Sequence, residues 1–295
     1  MKYSCNIKKK SRSFLLFFFL IFSGCSTASR FELFYSGNLN GIIEDCRCPR
    51  SSQGSILNHY TFYKDSIQNR TDAGYLSTGN IYAYSRSDRE NLLIGEIISE
   101  LGIDYIVPGR NDFSFIGQMD GIETISYNLS GAREYIFIEA GNIKIALTGM
   151  IDQSYSKYSN ADVILDKNLT DLTVFIKQLK AEADIVIFVS NIGSDTEKDI
   201  FNRITEIDVM ISNTNEKNEE FRFGDRLYAS PGMFGEYFGK LVITGQDRDL
   251  KLRNSFTKLT FEKFKDDPVL KEKTDSLKLK HGIKEKFREE PDGGL

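Results

Sequence analysis

Among residues that do chemistry, histidine is the one this sequence has least of: two in 295 positions, His59 and His281. Tryptophan is absent, and there are only four cysteines and five prolines. So little imidazole excludes a histidine-built metal centre, and so few thiols exclude a small disulfide scaffold. Cys46 and Cys48 form a C-x-C pair, which supplies too few ligands for a closed zinc site. In an oxidising compartment the two could form a tight, strained disulfide or stay as thiols. Positive charge is also short, with 38 Lys and Arg against 42 Asp and Glu. That balance argues against nucleic acid as a partner, because phosphate binding needs clustered cations.

Positive charge does collect at the N-terminus. Lys2, Lys8, Lys9, Lys10 and Arg12 precede the apolar run Phe14–Phe22, which is too short for a stable membrane span. The run ends in Phe22-Ser23-Gly24-Cys25, which resembles a bacterial lipobox, with Cys25 as the lipidation site after cleavage. The competing reading is an uncleaved N-terminal anchor. The expected organisation is a lipoprotein signal peptide over 1–24, a tether over 25–30, one folded domain over 31–262 and a charged helical tail over 263–295. Removing the signal leaves 33 basic and 42 acidic residues, a formal charge of −9. The expected place is outside the cytoplasm, lipid-anchored to a bacterial membrane on its periplasmic face or at the cell surface. The membrane is then a partner through the lipid, and the sequence names no protein partner.

In the body of the chain, strand and helix patterns alternate. Helical spacing marks Ser55–Gln68, Asp88–Leu101 (capped by Ser87, stopped by Gly102), Leu169–Ala183 and Asp195–Ile204. Strand patterns mark Phe31–Tyr35, Gly74–Ser77, Asp104–Val107, Ile122–Tyr127, Asp184–Ser190 and Ile207–Ser212. Tyr135–Glu139 and Ile143–Thr148 read as a hairpin across Ala140-Gly141-Asn142. Arg226–Ala229 and Phe238–Thr244 look antiparallel and hairpin-like, and a last strand lies near Leu250–Thr260. Alternation interrupted by hairpins suits a mixed α/β (α+β) sandwich better than a doubly wound sheet. Beyond Lys263 the apolar content collapses, and Pro268 opens a thinly striped helix that is expected to be solvated.

Five loops follow predicted strands, where open α/β sheets place their sites. They are Ser36-Gly37-Asn38-Leu39-Asn40-Gly41, Thr78-Gly79-Asn80, Gly109-Arg110-Asn111-Asp112-Phe113, Ser190-Asn191-Ile192-Gly193 and Ser212-Asn213-Thr214-Asn215. In order and framing they resemble the motifs of the 5'-nucleotidase branch of the calcineurin-like metallophosphoesterases, over about residues 31 to 260. Ser230-Pro231-Gly232 and Phe234-Gly235 look like that family's late loop, and Cys46/Cys48 match a Cys-Gly-Cys seen in part of it. The resemblance implies a four-layer α/β/β/α metallophosphoesterase-like sandwich.

It also implies two divalent metals, but the ligands have been replaced. Asn38, Asn40, Asn80, Arg110, Asn191, Asn213 and Asn215 stand at metal-ligand positions. Asn111 replaces the catalytic histidine, and Ser114 stands where that histidine's acidic partner is expected. Neither His59 nor His281 falls in a motif.

A neutral carboxamide is a much weaker ligand for such ions than carboxylate or imidazole. The expectation is therefore a domain without cofactor or catalytic residues, acting as a binding or scaffold lipoprotein. Seven of the 18 asparagines lie on motif positions. Drift after loss of activity would produce this pattern, and so would a retained, metal-free pocket, since Asn has nearly the shape of Asp and offers both donor and acceptor. In the second case Arg110, with Asn38, Asn80 and Asn191, would hold a small anion or phosphorylated ligand. The alternative use of Arg110 is to pair with Asp112 or another acid and prop its loop. The active alternative keeps two divalent ions by recruiting Asp112, Glu44, Asp45 or Asp152, and a third reading is a surface adhesin. The resemblance further implies that the family's C-terminal substrate-specificity domain does not follow in this sequence.

Cys25→Ser is expected to move the protein from the membrane fraction to the soluble fraction on cell fractionation. Unchanged membrane retention would mean that Phe14–Phe22 acts as an uncleaved anchor.

Overall fold

The computed structural model describes residues 28–45, 54–83, 87–158, 169–246 and 249–283. The N-terminal segment with Cys25, the Cys46/Cys48 pair and the chain beyond 283 lie outside the described residues.

The first sheet is built on β1 (Ser29–Ser36), which pairs in parallel with β2 (Ala73–Ser77). β3 (Tyr105–Ile106) and β4 (Glu123–Thr124) continue the parallel run. The other side of β1 takes β11 (Tyr237–Gln246) antiparallel, and β11 takes β12 (Asp249–Lys258). The second sheet has the order β5 (Tyr135–Ala140), β6 (Ile143–Ile151), β7 (Ile185–Asn191), β8 (Val209–Ser212), β10 (Arg226–Pro231), β9 (Asn218–Phe223). Its four central strands are parallel and its two edge strands antiparallel.

Strand alternation sorts the apolar side chains into three layers. Leu33, Tyr35, Leu76 and Val107 of the first sheet meet Leu147, Val189 and Ile211 of the second. Phe34, Tyr75 and Ile106 face outward under helices α1 (Ile56–Ser66) and α2 (Asp88–Ile98). Val186, Phe188 and Met210 face the opposite way, under α3 (Leu169–Glu182) and α4 (Ser194–Arg203). The result is the expected helix–sheet–sheet–helix sandwich. Ser87 caps α2 as expected, in a capping box with Glu90, and Ser55 proves to be the cap of α1, its hydroxyl accepting from Asn58 N at 3.1 Å.

Three local expectations are corrected. β1 begins inside the expected tether, because Ser29 and Arg30 still find partners in Gly245 and Thr244. Arg226–Ala229 and Phe238–Thr244 belong to different sheets; the hairpins are β9–β10 and β11–β12. β9, Asn-Glu-Glu-Phe-Arg-Phe, carries little apolar pattern because it is an edge strand. Finally, α5 (Pro268–Lys280) is docked on α2 rather than solvated. It buries Leu270 and Thr274, and its cations pair with acids far away in sequence, Lys278 with Glu44 and Lys280 with Glu96 at 2.9 Å, while the His281 ring just past its end lies 2.7 Å from Glu96.

His59 is a core residue of this scaffold. Its Nε2 donates to the Gly235 carbonyl at 2.8 Å, and its Nδ1 faces the Ser36 hydroxyl at 3.3 Å, so the neutral Nε2–H tautomer fits. Burial pulls its pKa from 6.5 down to about 4. The native state therefore holds His59 neutral, while the unfolded chain protonates it near 6.5. Its contribution is present above that pH and is lost as pH falls toward about 4, a change of about 3 kcal/mol. The unfolding free energy of wild type relative to His59→Gln, measured by urea titration, is expected to shrink over that window; a constant difference would contradict it.

Candidate functional site

The five motif loops converge where the carboxyl ends of both sheets meet. Their close approach explains the framing glycines. A Cβ on Gly37 would stand 2.0 Å from Thr78 Oγ1, and one on Gly79 would stand 2.3 Å from the Gly109 nitrogen. Gly79 itself sits at φ 105°. Asn38, Asn40 and Asn80 also take positive φ, at 55°, 47° and 56°, in the left-handed region that asparagine tolerates better than most residues.

Six of the mapped asparagines form one connected set of hydrogen bonds. Asn111 Nδ2 donates to Asn40 Oδ1 at 3.1 Å, and Asn40 Nδ2 to the Asn38 carbonyl at 2.9 Å. Asn80 Nδ2 donates to Asn38 Oδ1 at 2.9 Å, while its Oδ1 accepts from Asn111 N at 3.1 Å. Asn38 Nδ2 bridges to the carbonyls of Asn213 and Gly232, both at 3.0 Å. Asn213 Nδ2 donates to Asn191 Oδ1 at 2.8 Å and its Oδ1 accepts from Thr78 Oγ1 at 2.7 Å. Asn191 Nδ2 closes the set on the carbonyls of Thr78 at 2.8 Å and Val107 at 3.2 Å. Asn38, Asn191 and Asn213 are buried; Asn40, Asn80 and Asn111 are partly exposed.

The remaining mapped positions do other things. Asn215 donates to the Tyr228 hydroxyl at 2.6 Å and to Glu219 at 2.7 Å. Tyr228 in turn bonds the fully buried Glu197, which also accepts from Ser212 at 2.6 Å. Burial and the Glu197 charge push the Tyr228 phenol well above its ordinary value. Arg110 and Ser114 are exposed on the 3-10 helix Arg110–Gln118. Burial and Asp152 push the Tyr155 phenol up, and the Arg110 guanidinium pulls it back.

Asp112 is the member whose role the sequence did not disclose. It is wholly buried, and its two oxygens accept four backbone amides: Ile81 at 2.8 Å and Tyr82 at 3.2 Å on one, Asn80 at 2.6 Å and Gly109 at 2.8 Å on the other. Burial pushes its pKa up to about 6, against the pull of those amides. The only available signal was an acid three residues past Gly109, the spacing of a helix cap.

These residues do not fit two divalent ions. The buried donor set is neutral, and each amide nitrogen in the set already faces an oxygen. Of the four acids that could be recruited, Asp112 is committed to the four amides, Glu44 pairs with Lys271 at 3.2 Å and with Lys278, Asp45 is buried and already engaged, and Asp152 accepts from Ser154 N at 2.7 Å. Among the described residues, no group of three or more His, Cys, Asp or Glu is placed to hold a metal.

Asp112→Asn would turn an NH2 toward two backbone donors and leave them unpaired in the interior. The expected cost is about 2–6 kcal/mol of unfolding free energy, read by denaturant titration, at roughly 1–3 kcal/mol for each of the two orphaned groups. A variant as stable as wild type would remove the capping role.

No protein-family model matches the chain, and no curated protein does. Solved structures do. A 5'-nucleotidase precursor from Thermus thermophilus superposes with TM-score 0.68 at 12% identity, over 85% of this chain and 59% of its own. The NAD nucleotidase of Haemophilus influenzae gives 0.67 at 13%, over 86% and 60%. A calcineurin-like phosphoesterase from Bacillus subtilis gives 0.66 at 10%, over 86% and 97%. The chain thus spans about three fifths of the length of the two nucleotidases. Layer order, sheet topology and these superpositions agree: this chain has the fold shared by 5'-nucleotidases and calcineurin-like phosphoesterases.

Proposed function

We propose that this chain is an exported, lipid-anchored protein whose phosphoesterase-like domain binds or scaffolds rather than hydrolyses. One observation carries the reading: five of the six asparagines at the mapped metal positions, all but Asn215, use their amides on one another and on backbone carbonyls. A two-metal phosphoesterase requires anionic and imidazole ligands that activate a water and clamp the phosphate. Carboxamides supply hydrogen bonds to hold the loops in place, and no charge to hold the ions. Within this reading, exposed Arg110 offers a planar fork to a small anion or phosphorylated ligand.

The test is made on the purified mature protein. It is expected to hold no stoichiometric manganese, zinc or iron and to leave nitrophenyl phosphate and nucleotides intact. About two tightly bound ions, with turnover abolished by a chelator, would overturn the proposal. Titration of inorganic phosphate into wild type and Arg110→Ala decides the anion role; binding that is absent, or equal in both, would remove it.

A further inference from the structure

Four described residues other than glycine sit at positive φ. Three are the asparagines of the site, residue types suited to that conformation. The fourth is Phe234 at 60°, where a bulky side chain is a true outlier. Such strain persists only when the surroundings over-determine it, and it concentrates at ligand sites.

The surroundings do over-determine it. The Phe234 carbonyl accepts Gly54 N at 2.9 Å, and the next carbonyl, of Gly235, accepts His59 Nε2 at 2.8 Å. On the other side the Gly232 carbonyl accepts Asn38 Nδ2 at 3.0 Å. Neither flanking glycine has room for a side chain: a Cβ on Gly232 would stand 2.8 Å from Asn218 N, and one on Gly235 2.8 Å from Leu39 Cδ2. Yet the Phe234 ring that this rigid loop presents is not packed away; the residue is 44% exposed. The fold holds an aromatic residue in an unfavourable conformation and leaves it at the surface.

Phe234 borders a cleft of about 570 Å³ formed with Met233, Tyr237, Glu216, Glu236 and Lys217. That volume lies within the span typical of small-ligand sites, roughly 300–1,000 Å³. Glu216 and Glu236 bring two carboxylates to its wall, beside the single ammonium of Lys217. Its aromatic surface already attracts a cation, since the Lys258 ammonium lies 5.8 Å from the centre of the Tyr237 ring. An aromatic face, a polarizable thioether and nearby carboxylates are the elements that recognise ammonium and guanidinium groups.

We infer that this cleft binds an organic cation, with Phe234 as its preformed platform and Glu216 and Glu236 as its counter-charges. The inference rests on the cleft and the strained loop, and it holds whether or not the asparagine site carries metals.

The probe is benzamidinium, titrated calorimetrically into the full chain, with benzoate as the matched anion. Benzamidinium is expected to bind at least tenfold more tightly than benzoate. Glu236→Gln is expected to weaken it severalfold. Phe234→Gly is expected to weaken it at least tenfold while raising the thermal midpoint, because glycine occupies this conformation without strain. Phe234→Asn, also compatible with positive φ, is expected to lose binding alike. The inference fails if wild type does not bind benzamidinium, if benzoate binds as well, or if both Phe234 variants bind as wild type does. A lowered midpoint in Phe234→Gly would overturn it too, since it would make the ring a packing element.

Discussion

The two sheets are joined at their carboxyl ends by amide hydrogen bonds, and the arrangement of the site loops depends on that junction. Asn38, just past the end of β1, reaches across to the backbone of Asn213 and Gly232, which belong to the second sheet's loops. Thr78 and Val107 of the first sheet are tied back by Asn191 and Asn213 of the second. Below this seam the interface is apolar and non-directional, a layer of Leu, Val and Ile that gives burial but little register. The hydrogen bonds supply direction. Buried polar groups can do so only when each finds a partner, because an unpaired one costs about as much as several good contacts return.

Two divalent ions would draw such loops together through charged ligands. Here neutral groups of almost the same shape hold them. Exchanging Asp for Asn keeps the size and the backbone preference of the position, including positive φ, and removes the charge. Asp112 remains a carboxylate because it serves four backbone donors, a task one amide oxygen cannot perform. A single frame thus accounts for the close-packed glycines, the neutral amides and the buried acid.

The second feature at this end of the molecule is physically connected to the first. Gly232, which receives the Asn38 amide, opens the loop that strains Phe234. His59, buried and neutral, holds the same loop from the helix side. The seam that joins the sheets and the loop that lines the cleft therefore share their anchors.

Much of this was written in local pattern. The strand–loop order, the Gly37, Gly79 and Gly109 frames and the seven asparagines of the loops could be read from the chain, because glycine spacing and apolar periodicity are properties of short segments. Local pattern also placed the cap at Ser87. Tertiary structure decided what local pattern does not encode. Which asparagine amide meets which carbonyl depends on side chains up to 194 residues apart. Asp112 became a cap, His59 a core tautomer and Glu44 a partner of α5 because folding surrounded them with particular donors and cations. β9 needed its neighbours to be recognised at all, because an edge strand shows half a pattern. The α5 helix was legible from Pro268 onward but its docking was not, because a charged helix finds its acids only across space. Residue type set what each group can donate, accept or ionise; the packing of distant segments set which of those capacities is used.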